Sequence, residues 1–114
     1  LPEAVYEQDR TRFTNAPLVI GVISRAAPHV KIPEWEQILS SANAAFSIVL
    51  ASHALGYAAQ WLTSWAAYDD AAKALLGVKT EEKVTAFVHI GTPKAPPFQR
   101  PRPALSDIVT EWTP

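Results

Sequence analysis

The sequence predicts an α+β fold of mixed α/β layers, in the order β-α-β-α-β with an extended C-terminal arm. Three observations carry this. Short Val/Ile-rich runs bounded by Pro and Gly flank one long segment whose apolar residues recur three and four apart. Glycines stand just past both predicted helices, at Gly56 and Gly77. Beyond the last apolar run, Pro96, Pro97, Pro101 and Pro103 hold the chain extended.

The elements follow in order. Glu3 to Asn15 is polar and reads as a connector entering a strand. Pro17 to Ser24 (PLVIGVIS) reads as a buried strand, with Gly21 permitting close approach by another backbone or a ligand. Pro33 to Leu55 is the strongest helix. Pro33 suits its first turn, and Glu34 and Glu36 face the positive end of the helix dipole. Trp35, Ile38, Leu39, Ala42, Ala45, Phe46, Val49 and Leu50 recur at helical spacing, and Gly56 supplies the left-handed stop. Tyr57 to Thr63 is a short strand. Asp69 or Asp70 caps a second helix running to Leu76 and closed by Gly77. Lys83 to Ile90 is the last strand, ended by Gly91-Thr92-Pro93, and apolar character resumes from Leu105 to Trp112.

Composition narrows the function. With 114 residues the chain is one domain at most, and 48% hydrophobic residues fit a globular fold. A net charge of −1 gives no broad field toward nucleic acid or anionic lipid, so an anion site must be a local basic cluster. Cysteine is absent, which removes disulfides, thiol nucleophiles and cysteine metal sites and fits a cytoplasmic setting. No apolar run reaches the roughly 18 residues of a membrane span. His29, His53 and His89 lack the short spacing of metal motifs, so no metal site is expected. Glu34 and Glu36 point to different helix faces and do not form a catalytic carboxylate pair.

Two constellations remain. Arg100 and Arg102, on a proline-held arm, present donor forks that match a phosphate, or else are solvated surface arginines. Gln60-Trp61-Leu62-Thr63-Ser64-Trp65 lies at a strand end, where ligands collect in layered α/β folds, or else supplies two core tryptophans and a turn.

Taken together, Asn15-Ala16-Pro17 leading into a Val/Ile strand and Lys31-Ile32-Pro33-Glu34-Trp35-Glu36-Gln37 resemble the middle of the nitroreductase family. So does His53 through Thr63, and His89-Ile90-Gly91-Thr92-Pro93 followed by Arg100 to Leu105 resembles its last strand and arm. The resemblance runs from about Phe13 to Trp112, and its nearest subgroup is the small NAD(P)H nitroreductases. It implies a nitroreductase-like sandwich of which residues 1–114 are the C-terminal portion, with an N-terminal part absent.

The resemblance also implies an FMN-dependent oxidoreductase that passes hydride from NAD(P)H through flavin to nitroaromatic or quinone-type acceptors. Trp61, Leu62 and Thr63 would lie against the flavin, and Arg100 and Arg102 would hold its phosphate. Ala51, Ser52, His53, Ala54, Leu55 and Gly56 would meet NAD(P)H. No protein acid or base is nominated. A homodimer through the Pro33–Leu55 helix is expected, with no nucleic-acid or membrane partner. The family's N-terminal Arg-rich phosphate element has no counterpart in these residues. Alternatives are a related flavin enzyme of dehalogenation or flavin breakdown, a non-catalytic fragment, and a nucleotide-binding module of another family.

Overall fold

The computed structural model describes residues 2–114. Its order is α1 (Glu3–Thr11), β1 (Leu18–Ser24), α2 (Glu34–Ala54), β2 (Ala58–Leu62), α3 (Asp70–Leu75), β3 (Lys83–Gly91) and α4 (Leu105–Ile108). Single 3-10 turns follow α1 at Arg12–Thr14 and precede α3 at Trp65–Ala67. The β-α-β-α-β sequence of β1 to β3 is as expected, but the polar connector is a helix. Glu, Gln, Arg and Ala in α1 are good helix formers. Arg10 donates to Glu7 at 2.9 Å, Arg12 pairs with Asp9, and the Thr11 hydroxyl donates to the Glu7 carbonyl at 2.8 Å. No α1 residue is buried, so the apolar periodicity that marks α2 is missing there.

The three strands form one antiparallel sheet in the order β1-β3-β2. Leu18 pairs with Ile90 on one side of β3, and Ala58 pairs with Gly91 on the other. The central strand carries most of the buried core, as its position between two neighbours requires. α2 covers one face, where Ala45, Ala86, Val88 and Ile90 are buried against Ile20, Val22, Ile48 and Val49. On the opposite face Val84 and Phe87 pack with Ala66, Ala67 and Val78, and with Phe13 from the 3-10 turn after α1. The rings of Phe13 and Phe87 meet edge-on, centroids 5.0 Å apart.

A bulge in β3 lets one strand serve both cores. Val22 pairs with Ala86 but Ile23 with Val84, so Thr85 has no partner in this register. Side-chain alternation is thereby inverted: Ala86, Val88 and Ile90 face α2, whereas Val84 joins Phe87 on the other side. Thr85 is held from two directions. Its hydroxyl lies 2.6 Å from that of Ser41 on α2, and its carbonyl accepts the indole N–H of Trp61 at 3.1 Å.

Both helix stops are glycines in the left-handed region, Gly56 at φ 86° and Gly77 at φ 76°. After α2, Gly56 N–H donates to His53 and Tyr57 N–H to Ser52. After α3, Gly77 N–H donates to Ala74 and Val78 N–H to Lys73. Asp69, not Asp70, caps α3, accepting Ala72 N–H at 2.8 Å. Pro33 stands one residue outside α2, in extended conformation, and its carbonyl accepts the first helical N–H groups, from Glu36 and Gln37. The close approach expected at Gly21 occurs at Gly91 instead. A Cβ there would lie 2.9 Å from Pro17 Cδ, whereas one on Gly21 would make ordinary contact with Phe87.

Candidate functional site

A cleft of about 590 Å³ lies on the sheet face opposite α2, within the usual size of a ligand site. Strand alternation builds its floor. Ala58, Gln60 and Leu62 of β2 and His89 of β3 point away from Ala59 and Val88, which face α2. Gln8, Arg12 and Asn15, from α1 and the segment after it, and Pro97 and Arg100 of the arm complete the lining. The cleft therefore runs along all of β2, about 13 Å at the usual rise per residue.

Its electrostatics are one-sided. Two arginines, Arg12 and Arg100, and one histidine line it, and among the described residues no carboxylate does. That contrasts with the chain's net charge of −1. Arg12 is fixed by its Nη2 contact to Asp9, and Asp9 itself faces a separate hollow beside Tyr6, Arg10 and Trp65. Arg12 Nε is buried without a hydrogen-bond partner among the described residues. An orphaned donor of this kind costs stability until a water or ligand oxygen meets it. His89, 8% exposed, has Nε2 3.2 Å from the Arg12 carbonyl and Nδ1 3.2 Å from the Phe87 carbonyl. It also stacks on Phe13 at 6.0 Å, which ties the floor of the cleft to the turn bearing Arg12.

The expected site residues divide. Leu62 and Arg100 line the cleft; Arg102, on the same arm, does not. Trp61 points to the α2 side of β2, and its indole N–H is engaged by Thr85. Thr63 continues the chain at the Leu62 end of the cleft and is followed by Ser64. That residue has φ 66° and ψ −177°, a region almost reserved for glycine. Ala51 to Gly56 form the last turn and stop of α2, away from the cleft. Ser52 there is buried, its hydroxyl donating to the Ile48 carbonyl at 2.7 Å, while Ala51, His53, Ala54, Leu55 and Gly56 are exposed. Gln60 belongs to the strand-end segment singled out in the sequence; Arg12 and His89 are cleft residues that sequence reasoning did not assign. No short-range motif marks them, because Arg12 sits in the polar stretch read as connector.

Among the described residues no three metal-ligating side chains cluster, and no helix is long and apolar enough to cross a membrane. A second hollow of about 340 Å³, lined by Phe13, Val19, Ile23, Leu76, Val78 and Phe87, is apolar.

Comparisons with known proteins agree on one family. The model of the Nitroreductase family matches residues 5–92. A Haemophilus influenzae protein, described as a candidate NAD(P)H nitroreductase, is 36% identical over 79 residues, covering 68% of this chain and 43% of that protein. The similarly described YdjA of Escherichia coli K12 is 28% identical over 80 residues, covering 70% of this chain and 44% of that protein. The chain thus spans less than half the length of these relatives. Among solved structures, a nitroreductase-like family protein from Bacillus cereus superposes with TM-score 0.78 at 17% identity, over 96% of this chain and 60% of its own. A variant of the FMN- and NADPH-dependent nitroreductase NfnB from Sphigopyxis sp. strain HMH gives TM-score 0.69 at 22% identity, over 94% and 50%. These likenesses establish the nitroreductase-like fold, and with the family match they make the chain a member of the nitroreductase family.

Proposed function

We propose that this chain is the part of an FMN-dependent NAD(P)H oxidoreductase that holds the phosphate end of the flavin, with nitroaromatic or quinone-type acceptors as its substrates. The observation that carries the reading is the cleft itself, a pocket with two arginines, one histidine and no carboxylate in a chain of net charge −1. Arg12 and Arg100 offer the donor forks that suit a phosphate, and Arg12 Nε has no partner among the described residues. Gln8, Asn15 and Gln60 offer neutral donors and acceptors suited to a polyol chain.

No Trp, Tyr or Phe lines the cleft, so it suits the ribityl phosphate better than the ring. Leu62 and Thr63, at one end of the cleft, would hold the ring, whereas Trp61 faces the α2 side of β2. FMN, when bound, supplies the hydride chemistry between NAD(P)H and the acceptor, and the protein contributes binding, orientation and field. Exposed Ala51, His53, Ala54, Leu55 and Gly56 are the surface for the nicotinamide nucleotide in this reading. A cytoplasmic setting belongs to the same reading, supported by the lack of cysteine.

The reading includes a homodimer through α2. Its solvent side carries Trp35, Leu39, Phe46 and Leu50 at i, i+4, i+11 and i+15, one stripe along the helix, each at least 43% exposed. The chain exposes 9203 Å², whereas a compact protein of 12.5 kDa exposes about 6,200 Å². The difference, about 3,000 Å², is several times the ~800 Å² one partner contributes to a standard interface. The extended arm, with Phe98, Leu105 and Trp112 exposed, holds part of it.

The test is a visible absorption spectrum of the purified chain before and after addition of FMN and desalting. Retained flavin that bleaches with NAD(P)H is the expected result. A protein that retains no FMN would refute flavin binding by this chain.

A further inference from the structure

We infer that Arg12, rather than Arg102, is the partner of Arg100 in an anion subsite of the cleft that takes a phosphate monoester. The identity of that ligand as FMN rests on the function proposed above. The subsite itself rests on the geometry of Arg12.

Four features single out this side chain. Arg12 lines the cleft together with Arg100, and Arg102 lies outside it. Asp9 holds its Nη2, and the backbone beneath it is fixed by the Arg12 carbonyl, 3.2 Å from His89 Nε2, and by Phe13, which stacks on His89. A guanidinium already held in place loses little rotamer freedom when it binds an anion. The carboxylate that holds it does not line the cleft, so no acidic side chain competes there for an anion, although the contact offsets part of the Arg12 charge. Lastly, the Nε donor is buried and unpartnered among the described residues, while the side chain as a whole is 21% exposed. The group is thus partly shielded from water, where a charge-assisted hydrogen bond is stronger than on an open surface.

Arg12 stands on the turn after α1 and Arg100 on the arm, and both line the cleft. A dianionic phosphate between them would bring the arm against the turn. Arg102, two residues on, belongs to a proline-flanked segment. Such segments favour a threefold left-handed helix, in which residues two apart face different directions.

The experiment compares FMN with riboflavin, the same ring and ribityl chain without phosphate, by fluorescence titration of the 114-residue chain and its Arg12→Gln, Arg12→Lys and Arg102→Gln variants. The wild type should prefer FMN. Arg12→Gln should weaken FMN binding about tenfold or more, the loss of one charge-assisted contact, and leave riboflavin binding unchanged. Arg12→Lys keeps the charge and stem and covers the case in which the glutamine variant does not fold. It should lose part of the preference, because a point charge replaces the fork. Arg102→Gln should match the wild type. An unchanged FMN preference in the Arg12 variants, or its loss in Arg102→Gln alone, overturns the proposal.

Should the wild type bind neither flavin, the flavin reading fails by itself. Inorganic pyrophosphate is then titrated while the amide signals of Asn15 and Gly91 are followed by NMR. Shifts in the wild type that vanish in Arg12→Gln sustain the anion subsite, and no shifts in the wild type overturn it.

Discussion

His89 Nε2 lies 3.2 Å from the main-chain carbonyl of Arg12, 77 residues earlier in the chain. The contact joins the central strand to the turn after α1, and both residues line the cleft. Nδ1 stands equally close to the Phe87 carbonyl, and a neutral imidazole, with one N–H, donates to one of the two at a time. His89→Ala should remove this contact and the stacking on Phe13, lowering stability by about 2 kcal/mol in urea denaturation. His89→Phe keeps the aromatic packing and should recover part of the loss. Equal stability of wild type and the alanine variant would show that the contact is idle.

Ser64 occupies a backbone region that side chains seldom enter, at φ 66° and ψ −177°. Its carbonyl accepts Ala67 N–H at 3.1 Å and so opens the 3-10 turn before α3. Strain there is of order 1–3 kcal/mol, against about 0.5–1 kcal/mol of extra backbone entropy lost by glycine. Ser64→Gly should therefore raise the melting temperature, and a lowered one would mean that the serine side chain compensates the strain.

The bulge is held by the hydroxyl pair Ser41 and Thr85, 2.6 Å apart. A double-mutant cycle with Ser41→Ala and Thr85→Val should give a coupling of about 1 kcal/mol, the value of a partly buried hydrogen bond. Strict additivity of the two substitutions would remove this contact from the account of how α2 seats on the sheet.

Gly91 pairs with Ala58 at the end of β3, beneath the ring of Pro17. Gly91→Ala places a methyl 2.9 Å from Pro17 Cδ and 3.3 Å from Cγ. The proline ring has no rotamer by which to move aside, so a loss of about 1–3 kcal/mol is expected. Circular dichroism melts would measure it, and a neutral result would show that this end of the sheet yields.

Phe46, 52% exposed in the middle of the α2 stripe, is the residue to charge. Sedimentation equilibrium should find the wild type dimeric and Phe46→Glu monomeric, since an unpaired carboxylate in an apolar interface is costly to desolvate. A monomeric wild type would end the α2 dimer reading.

Much of the fold was legible because its signals are local. The Val/Ile runs of β1 and β3, the periodicity of α2 and the stops at Gly56 and Gly77 each fall within a window of a few residues. α1 escaped notice for the opposite reason. It buries nothing, so its helicity rests on propensity and on pairs such as Glu7–Arg10, which leave no apolar pattern. The bulge was equally hidden, since the alternation in KVTAFVHI does not show where a residue is skipped.

The cleft was legible only in part. Leu62 and Arg100 belong to the two constellations read from the residues and given roles by the family resemblance, and the structure places both on its lining. Arg12, Gln60 and His89 meet them through strand pairing and the His89–Arg12 contact, which are long-range in sequence.

The strand order β1-β3-β2 has a consequence for how the chain is made. β1 and β2 do not pair with each other; each finds its only described neighbour in β3, which ends at Gly91. During synthesis, therefore, no rung of this sheet can form until most of the chain has left the ribosome. Until then the Val/Ile edge of β1 lacks the pairing that β3 provides, and such delay favours slow folding and capture by other chains.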